Sequence, residues 1–399
     1  MNRLRTLEDL DLANLQGVPT LVRVDFNVPL SAGRVLDDTR LQAALPTIVE
    51  LKAAGARVLL VSHLGRPKGQ VRPEFSLRPV AAALGDLLGE PVSFATDCVG
   101  EPAEQEAAKL PPGGVCLLEN VRFHAGETEN DAGFAAELAA LARAYVNDAF
   151  GTAHRAHAST VGAAELLERR AAGRLVVKEV EALSRLLGEP ERPFAAIIGG
   201  AKIDTKVGTV RNLLPRLNLL VLGGGMANTF LAAQGRSMGD SLVEEDKIDI
   251  AREILDEATR RFIRVLLPTD LVVTDDLDKP SRIETVMVDA VPEGTMAVDI
   301  GEASRRTMTE ALAKAKTILW NGPLGVFEKS PFDAGTVAVA AAVGMSSAFT
   351  VIGGGETVAA ARQAGILEEL GHVSTGGGAS LEFLAGKALP GIAVLEKKT

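Results

Sequence analysis

Ala195-Ala196-Ile197-Ile198-Gly199-Gly200-Ala201-Lys202 and Leu219-Leu220-Val221-Leu222-Gly223-Gly224-Gly225-Met226 set the reading of this chain. Each is an apolar run of strand length that breaks into glycines and leads straight into a segment of helical period. A short apolar run bounded by glycine reads as a strand buried on both faces, and the turn into a helix makes it half of a βαβ unit. The same order recurs outward in both directions. Leu21–Val24, Val58–Val61, Val115–Leu118 and Tyr145–Val146 are the runs of the first half. Val265–Leu267, Thr317–Trp320 and Phe349–Ile352 complete the second. Ala-rich stretches such as Ala43–Ala54 and Ala132–Ala142 supply crossover helices. The class is therefore α/β with parallel sheets.

At 399 residues the chain is two to three times an ordinary domain, so two domains are expected. Between the halves, Val176, Val180, Leu183 and Leu187 follow helical spacing within Leu175–Leu187, and Gly188, Pro190 and Pro193 end it. The expected division is residues 1–172, a joining helix at 173–188, residues 189–385 and a tail at 386–399. The tail holds a further apolar run, Leu389–Leu395.

Composition removes several classes. A net charge of −10 argues against general attraction to nucleic acid or an anionic membrane. No apolar run approaches the roughly 20 residues of a membrane span. Acidic residues at Glu8 and Asp9 precede any apolar stretch, unlike a signal peptide. Two cysteines, Cys98 and Cys116, make no disulfide framework, and no Cys/His spacing points to zinc; a reducing cytoplasm is the expected compartment.

Ligands of open parallel sheets bind beyond the carboxyl ends of the strands. In the first half those positions are cationic: Asp25-Phe26-Asn27, Ser62-His63-Leu64-Gly65-Arg66, Glu119-Asn120-Val121-Arg122-Phe123-His124 and Phe150-Gly151-Thr152-Ala153-His154-Arg155-Ala156-His157 follow the four runs, and Arg40 opens the first helix. Singly, each arginine reads as a solvated charge. As a set, in an acidic chain, they are the convergent forks that a multiply charged phosphate or carboxylate requires.

The second half changes material. Its strand ends are Gly199-Gly200-Ala201-Lys202 with Lys206, Gly223-Gly224-Gly225, Gly353-Gly354-Gly355-Glu356-Thr357 and Gly376-Gly377-Gly378. One triplet alone is a tight turn. Successive triplets form a crevice in which backbone N–H groups approach phosphates, and Glu356 is placed to hold Mg²⁺. There is no GxxxxGK[ST], no GxGxxG and no GxSxG, which disfavours a P-loop enzyme, a dinucleotide-dependent dehydrogenase and a serine hydrolase.

The motif set resembles the phosphoglycerate kinase family almost end to end. Arg23-Val24-Asp25-Phe26-Asn27-Val28-Pro29, Ser62 to Pro67, Glu119 to His124, Asn147 to Arg155, Gly199 to Lys202, Gly223 to Ala227, Asn321-Gly322-Pro323-Leu324-Gly325-Val326-Phe327-Glu328 and Ser374 to Gly378 stand in the family's order. The resemblance implies two Rossmann-like doubly wound domains joined by a helix, in a bilobal, hinge-bending kinase of glycolysis. It implies that Asp25, Phe26, Asn27, Arg40, His63, Leu64, Gly65, Arg66, Arg122 and Arg155 hold 3-phosphoglycerate or 1,3-bisphosphoglycerate. ADP or ATP with Mg²⁺ falls to Ala201, Lys202, Lys206, Asn321, Glu328 (on the ribose), Gly354, Gly355, Glu356 and Thr357. Arg40, Lys202, Lys206 and Gly377 are matched to the transferring group, and the tail to packing on the first domain. One position departs: the residue after the third glycine of Gly353–Gly355 is more familiar as Asp, and Glu356 has an extra methylene, leaving direct and water-mediated Mg²⁺ contact both open. The family also suggests a monomer. The rival classes are a dehydrogenase and a non-catalytic two-lobed binding protein; the first lacks its fingerprint, and the second has no use for cations from both halves.

Overall fold

The computed structural model describes residues 3–397. They divide into two compact units: one runs up to Glu181 and includes the segment from Ala388 onward, and the other is Ala182–Lys387.

The first unit is built on six parallel strands, β1 (Pro19–Val24), β2 (Arg57–Val61), β3 (Ser93–Ala95), β4 (Val115–Leu118), β5 (Ala144–Asp148) and β6 (Arg170–Ala172), in the order β3-β4-β2-β1-β5-β6. Leu21 is paired with both Leu59 and Tyr145, which centres β1 in the sheet. Every residue of β4 and β5 is buried, as expected for a parallel sheet covered on both faces. Leu41, Ile48 and Leu51 of the helix Thr39–Ala53 pack into a core with Val22, Val24, Val58 and Leu60. The helix starts before the Ala-rich run because Asp37 accepts from Thr39 N (2.9 Å), and this puts Arg40 in its first turn.

The second unit repeats the plan with β7 (Phe194–Ile198), β8 (Leu219–Leu222), β9 (Arg264–Leu266), β13 (Thr317–Asn321), β14 (Phe349–Ile352) and β15 (His372–Val373), parallel in the order β9-β8-β7-β13-β14-β15. This is the Rossmann order, with its reversal between β7 and β13. Inserted between β9 and β13 is an antiparallel sheet of β10 (Asp270–Thr274), β11 (Ile283–Met287) and β12 (Met296–Ile300), in the order β11-β10-β12. The first unit differs from the Rossmann order: β4 lies between β2 and the edge strand β3, and the reversal falls between β1 and β5.

The joining helix spans Arg174–Leu187. Val176, Leu183 and Leu186 are its fully buried apolar residues, while Val180 and Leu187 are half-buried. Asp148, at the end of β5, accepts from Leu175 N (2.9 Å) and tethers the start of that helix. The apolar tail forms a short helix, Pro390–Ala393, whose Gly391 N donates to Ala153 O (2.9 Å), and Arg5 N donates to Leu395 O (3.0 Å).

Candidate functional site

Beyond β1, β2, β4 and β5 the first unit gathers its cations round one histidine. Arg23, the fifth residue of β1, is fully buried; its Nε donates to Ser159 Oγ (2.8 Å) and its Nη2 lies 3.2 Å from His63 Nδ1. Burial, then the charges of Arg23, Arg122, Arg40 and Arg155, hold His63 well below its ordinary value, so its ring is neutral at pH 7. The same effect brings Arg122 down to about 10, through burial and the neighbouring Arg23 and Arg155. Like charges at close range are unfavourable unless anchored. Arg122 Nη1 donates to Gly65 O (2.8 Å), and Arg40 is paired with Asp25, whose other oxygen accepts from Asn27 N (3.3 Å).

A polar frame holds the loops. Asn27 Oδ1 accepts from Gly65 N (2.9 Å), and Asn120 bridges Leu64 N (3.2 Å), Leu64 O (2.8 Å) and Phe75 O (2.9 Å). Glu119 accepts from Ser76 Oγ (2.6 Å), Leu77 N (2.8 Å) and Asn120 N (2.8 Å). Of the residues expected here, Phe26 and Leu64 turn their side chains into the core, leaving only backbone for a ligand. Arg66 is exposed, Arg40 and Arg155 are partly exposed, and Arg122 Nε is buried without a hydrogen-bond partner. Arg23, Glu119 and Asn120 were not among the expected site residues. Arg23 stands inside a strand, and a buried arginine has no signal in periodicity.

In the second unit the reversal point brings the ends of β7 and β13 together. Gly199 N donates to Asn321 O (2.9 Å) and Gly200 N to Pro323 O (2.7 Å). Gly200, Gly224, Gly322 and Gly354 all have positive φ, from 65° to 99°, a region that side chains avoid. Three expected residues are the ties of this crevice. Lys206 Nζ donates to Gly199 O and to Asn321 O (3.1 Å), Asn321 Nδ2 to Gly353 O (2.7 Å), and Thr357 Oγ1 accepts from Gly322 N (2.7 Å). Burial brings Lys206 down to about 8, with the charge of Glu356 acting against that shift.

Glu356, in the first turn of the helix Gly355–Gln363, and Glu328 both line a cavity of about 440 Å³, together with Gly200, Ala201, Gly224 and Gly225. Most of its remaining wall is apolar: Pro268, Leu271, Met296–Val298 and Ile300, from the antiparallel sheet and its flanks, and Leu324 and Val326, with Asn228, Asp240 and Asp299 among them. That wall was not foreseen, because the antiparallel strands break the βαβ pattern. Asp299 lies in it with burial raising its carboxyl to about 7. Ala201 and Lys202 are exposed at the mouth of the crevice, and Gly377 has φ 51° before the helix Gly378–Leu384.

A Rossmann-type sheet ending in glycine turns can take a phosphate chain, and a sheet ending in buried arginines can take a small polyanion. One chain carrying both is of the α/β phosphotransferase class. The model of the family described as phosphoglycerate kinase matches residues 7–387. A phosphoglycerate kinase of Moorella thermoacetica is 56% identical over 98% of this chain and 99% of its own. A protein of Arabidopsis thaliana named phosphoglycerate kinase 3, cytosolic, is 50% identical over the same shares. The solved phosphoglycerate kinase of Coxiella burnetii superposes with a TM-score of 0.89 at 41% identity, covering 98% of this chain and 99% of that one. The chain belongs to the phosphoglycerate kinase family, whose members are glycolytic phosphotransferases.

Proposed function

We propose that the chain catalyses the reversible reaction of 1,3-bisphosphoglycerate with Mg·ADP, giving 3-phosphoglycerate and ATP. A β-phosphate oxygen of ADP attacks the acyl phosphorus, the P–O bond to the C1 carboxylate breaks, and the reverse reaction starts from that carboxylate. Because the carboxylate is ionised at pH 7, no general base is needed, and catalysis rests on positioning and charge neutralisation. The observation that carries this reading is the convergence of Arg23, Arg40, Arg122 and Arg155 on His63 at the strand ends of the first unit.

In this reading Arg122, Arg155, Arg66 and neutral His63 hold the phosphoglycerate, with Asp25, Asn27 and the backbone of Phe26, Leu64 and Gly65 shaping its seat. Arg40 and Lys202 are assigned to the transferring phosphoryl group, with Lys206 and the backbone of Gly377 on adjoining oxygens. The apolar wall takes the base, Glu328 the ribose, and Ala201, Asn321 and the Gly354–Thr357 turn the phosphates. Glu356 fits Mg²⁺: an exposed carboxylate beside a phosphate crevice supplies one hard oxygen, and nucleotide phosphates supply others. When bound, the ion neutralises charge on the phosphates.

The reacting atoms must come within about 3–3.5 Å with water excluded. Each ligand is assigned to its own unit, so we assign catalysis to a hinge-closed state of a monomer, working in the cytoplasm; both cysteines are free and buried. No helix among the described residues is long and apolar enough to cross a membrane. Coupled measurement of ATP formation from 1,3-bisphosphoglycerate and ADP tests the reaction, and its absence would overturn the proposal. Small-angle scattering tests the closure. The radius of gyration should fall furthest with both ligands bound, and an unchanged radius across free, singly and doubly liganded samples counts against a hinge.

A further inference from the structure

Beyond this reaction, we propose that Asp97, Cys98 and His124 form a binding site for one zinc-class divalent ion on the first unit. Adjacent strands create it. Asp97 and Cys98 lie between β3 and the helix Gly100–Lys109, while His124 follows the turn Val121–Phe123 beyond β4. Ala95 of β3 pairs with Leu118 of β4, so the two strand ends open side by side. Residues far apart in sequence meet there, which no local Cys/His spacing could reveal.

One donor atom from each residue lies within 4.8 Å of the other two. Zinc bonds of 2.0–2.3 Å in a tetrahedron set donors about 3.2–3.8 Å apart, so an ion would draw the widest pair together by about 1 Å and part the Asp97–His124 hydrogen bond. Two of the three donors are already held. Asp97 Oδ1 accepts from Cys98 N (2.6 Å) and lies 2.7 Å from His124 Nε2. The His124 ring stacks on Phe134 with centroids 5.0 Å apart, which fixes its plane.

A separate observation points to a cation. Beside the cluster opens a cavity of about 470 Å³, lined by Val99, Phe123 and His124 and by the carboxylates of Glu129, Asp131 and Glu137, with no Lys or Arg in its wall. Of the three donors His124 lines this cavity; Cys98 is fully buried, and the side chains of His124 and Asp97 are 33% and 42% exposed. A cation thus has an electronegative approach on the side of His124, and a buried thiol as its soft ligand. The donor set of S, N and O suits borderline-soft Zn²⁺ or Co²⁺ and not Mg²⁺, which takes oxygen. On binding, the aqua ion sheds water, the metal–sulfur bond forms and the thiol proton leaves to solvent. The bound ion would pin the ends of β3 and β4, and so the loop that carries Arg122.

The test uses the full chain, stripped with a chelator and titrated with Co²⁺, since a thiolate ligand produces a near-ultraviolet charge-transfer band that carboxylate sites such as Glu356 do not. The expected result is one equivalent per chain, displaced by Zn²⁺, abolished in Cys98→Ser and kept in Cys116→Ser. Zn²⁺ at 100 times its Kd should also raise Tm by about 5 °C or more. No band in the wild type, or a band that persists in Cys98→Ser, overturns the proposal. Should Cys98→Ser not fold, Asp97→Asn and His124→Gln decide: each should weaken Co²⁺ at least tenfold, and unchanged affinity in both overturns it.

Discussion

The strand ends of the first unit are furnished with side-chain cations, those of the second with bare backbone. In the first, Arg23 and Arg122 are desolvated beside one another and beside His63, an arrangement that costs free energy until an anion arrives. The carbonyls of Val24 and Gly65 hold these two charges in place, and Asp25 holds that of Arg40. In the second, the shape comes from glycines at positive φ, laced together by Lys206, Asn321 and Thr357. Removing a side chain from the first should delete an interaction and leave the scaffold. Adding a single carbon to the second should damage the scaffold itself.

The largest effect is expected from Arg40→Ala, which should lower kcat by about 10³-fold or more, as loss of an arginine from a phosphoryl-transfer site does. Thermal unfolding should be near normal, since Arg40 is partly exposed and its only described partner is Asp25. Lys202→Ala, on an exposed residue of the other unit, should behave alike; a rise in KM alone would make it a uniform binder. Near-normal kcat in folded Arg40→Ala at saturating substrates removes it from the transferring group.

Gly322→Ala breaks the other side of the comparison. Gly322 has φ 99°, and an added Cβ would fall well inside contact distance of Gly199 O and Lys206 Nζ. The strain should cost about 2–4 kcal/mol, read as a Tm lowered by about 5–10 °C. At Gly355 no atom lies within 4 Å of an added Cβ, so Gly355→Ala is the matched control and should unfold near the wild-type temperature. Equal Tm for both variants would show that the crevice is not held by close backbone approach.

Glu356→Gln sharpens the division of ligands. It should weaken Mg·ADP binding by about tenfold, the scale of one charge-assisted contact, and leave 3-phosphoglycerate affinity unchanged. Calorimetric titration of each ligand checks this; equal loss for both, or for neither, removes the metal role.

The same contrasts set what is legible in the amino-acid sequence. β4, β8 and β14 begin and end where their apolar runs do, because a strand buried on both faces is a continuous apolar word between turns. β15 is two residues long, and β11 has alternating exposed and half-buried residues with little apolar contrast, so neither left a legible pattern. The cationic turns and glycine triplets were visible because residue type carries their chemistry. Buried Arg23, the Glu119 and Asn120 frame, and the Asp97–Cys98–His124 cluster were not, since each depends on which strands become neighbours.

The smallest effect is a pH dependence that should belong to one unit only. Burial lowers Lys206 from its ordinary 10.5 to about 8 in the free protein. A bound phosphate favours the ammonium and raises that value, so above pH 8 nucleotide binding must take up a proton. ADP affinity should therefore be level with respect to this group below pH 7 and fall as pH rises through 8, by up to about tenfold at pH 9. The first unit should show no such step. His63 is already neutral throughout this range, being held well below 6.5, and Arg122 at about 10 remains charged. Affinity for 3-phosphoglycerate should accordingly be flat from pH 7 to 9. Titrations in two buffers of different ionisation enthalpy measure the proton directly: uptake with ADP, none with 3-phosphoglycerate, and none with ADP in Lys206→Met. Uptake that persists in Lys206→Met would place the titrating group elsewhere in the crevice. A matching step in 3-phosphoglycerate binding would mean that the arginine cluster, too, is poised near neutrality, and the contrast between side-chain and backbone sites would fail on its electrostatic side.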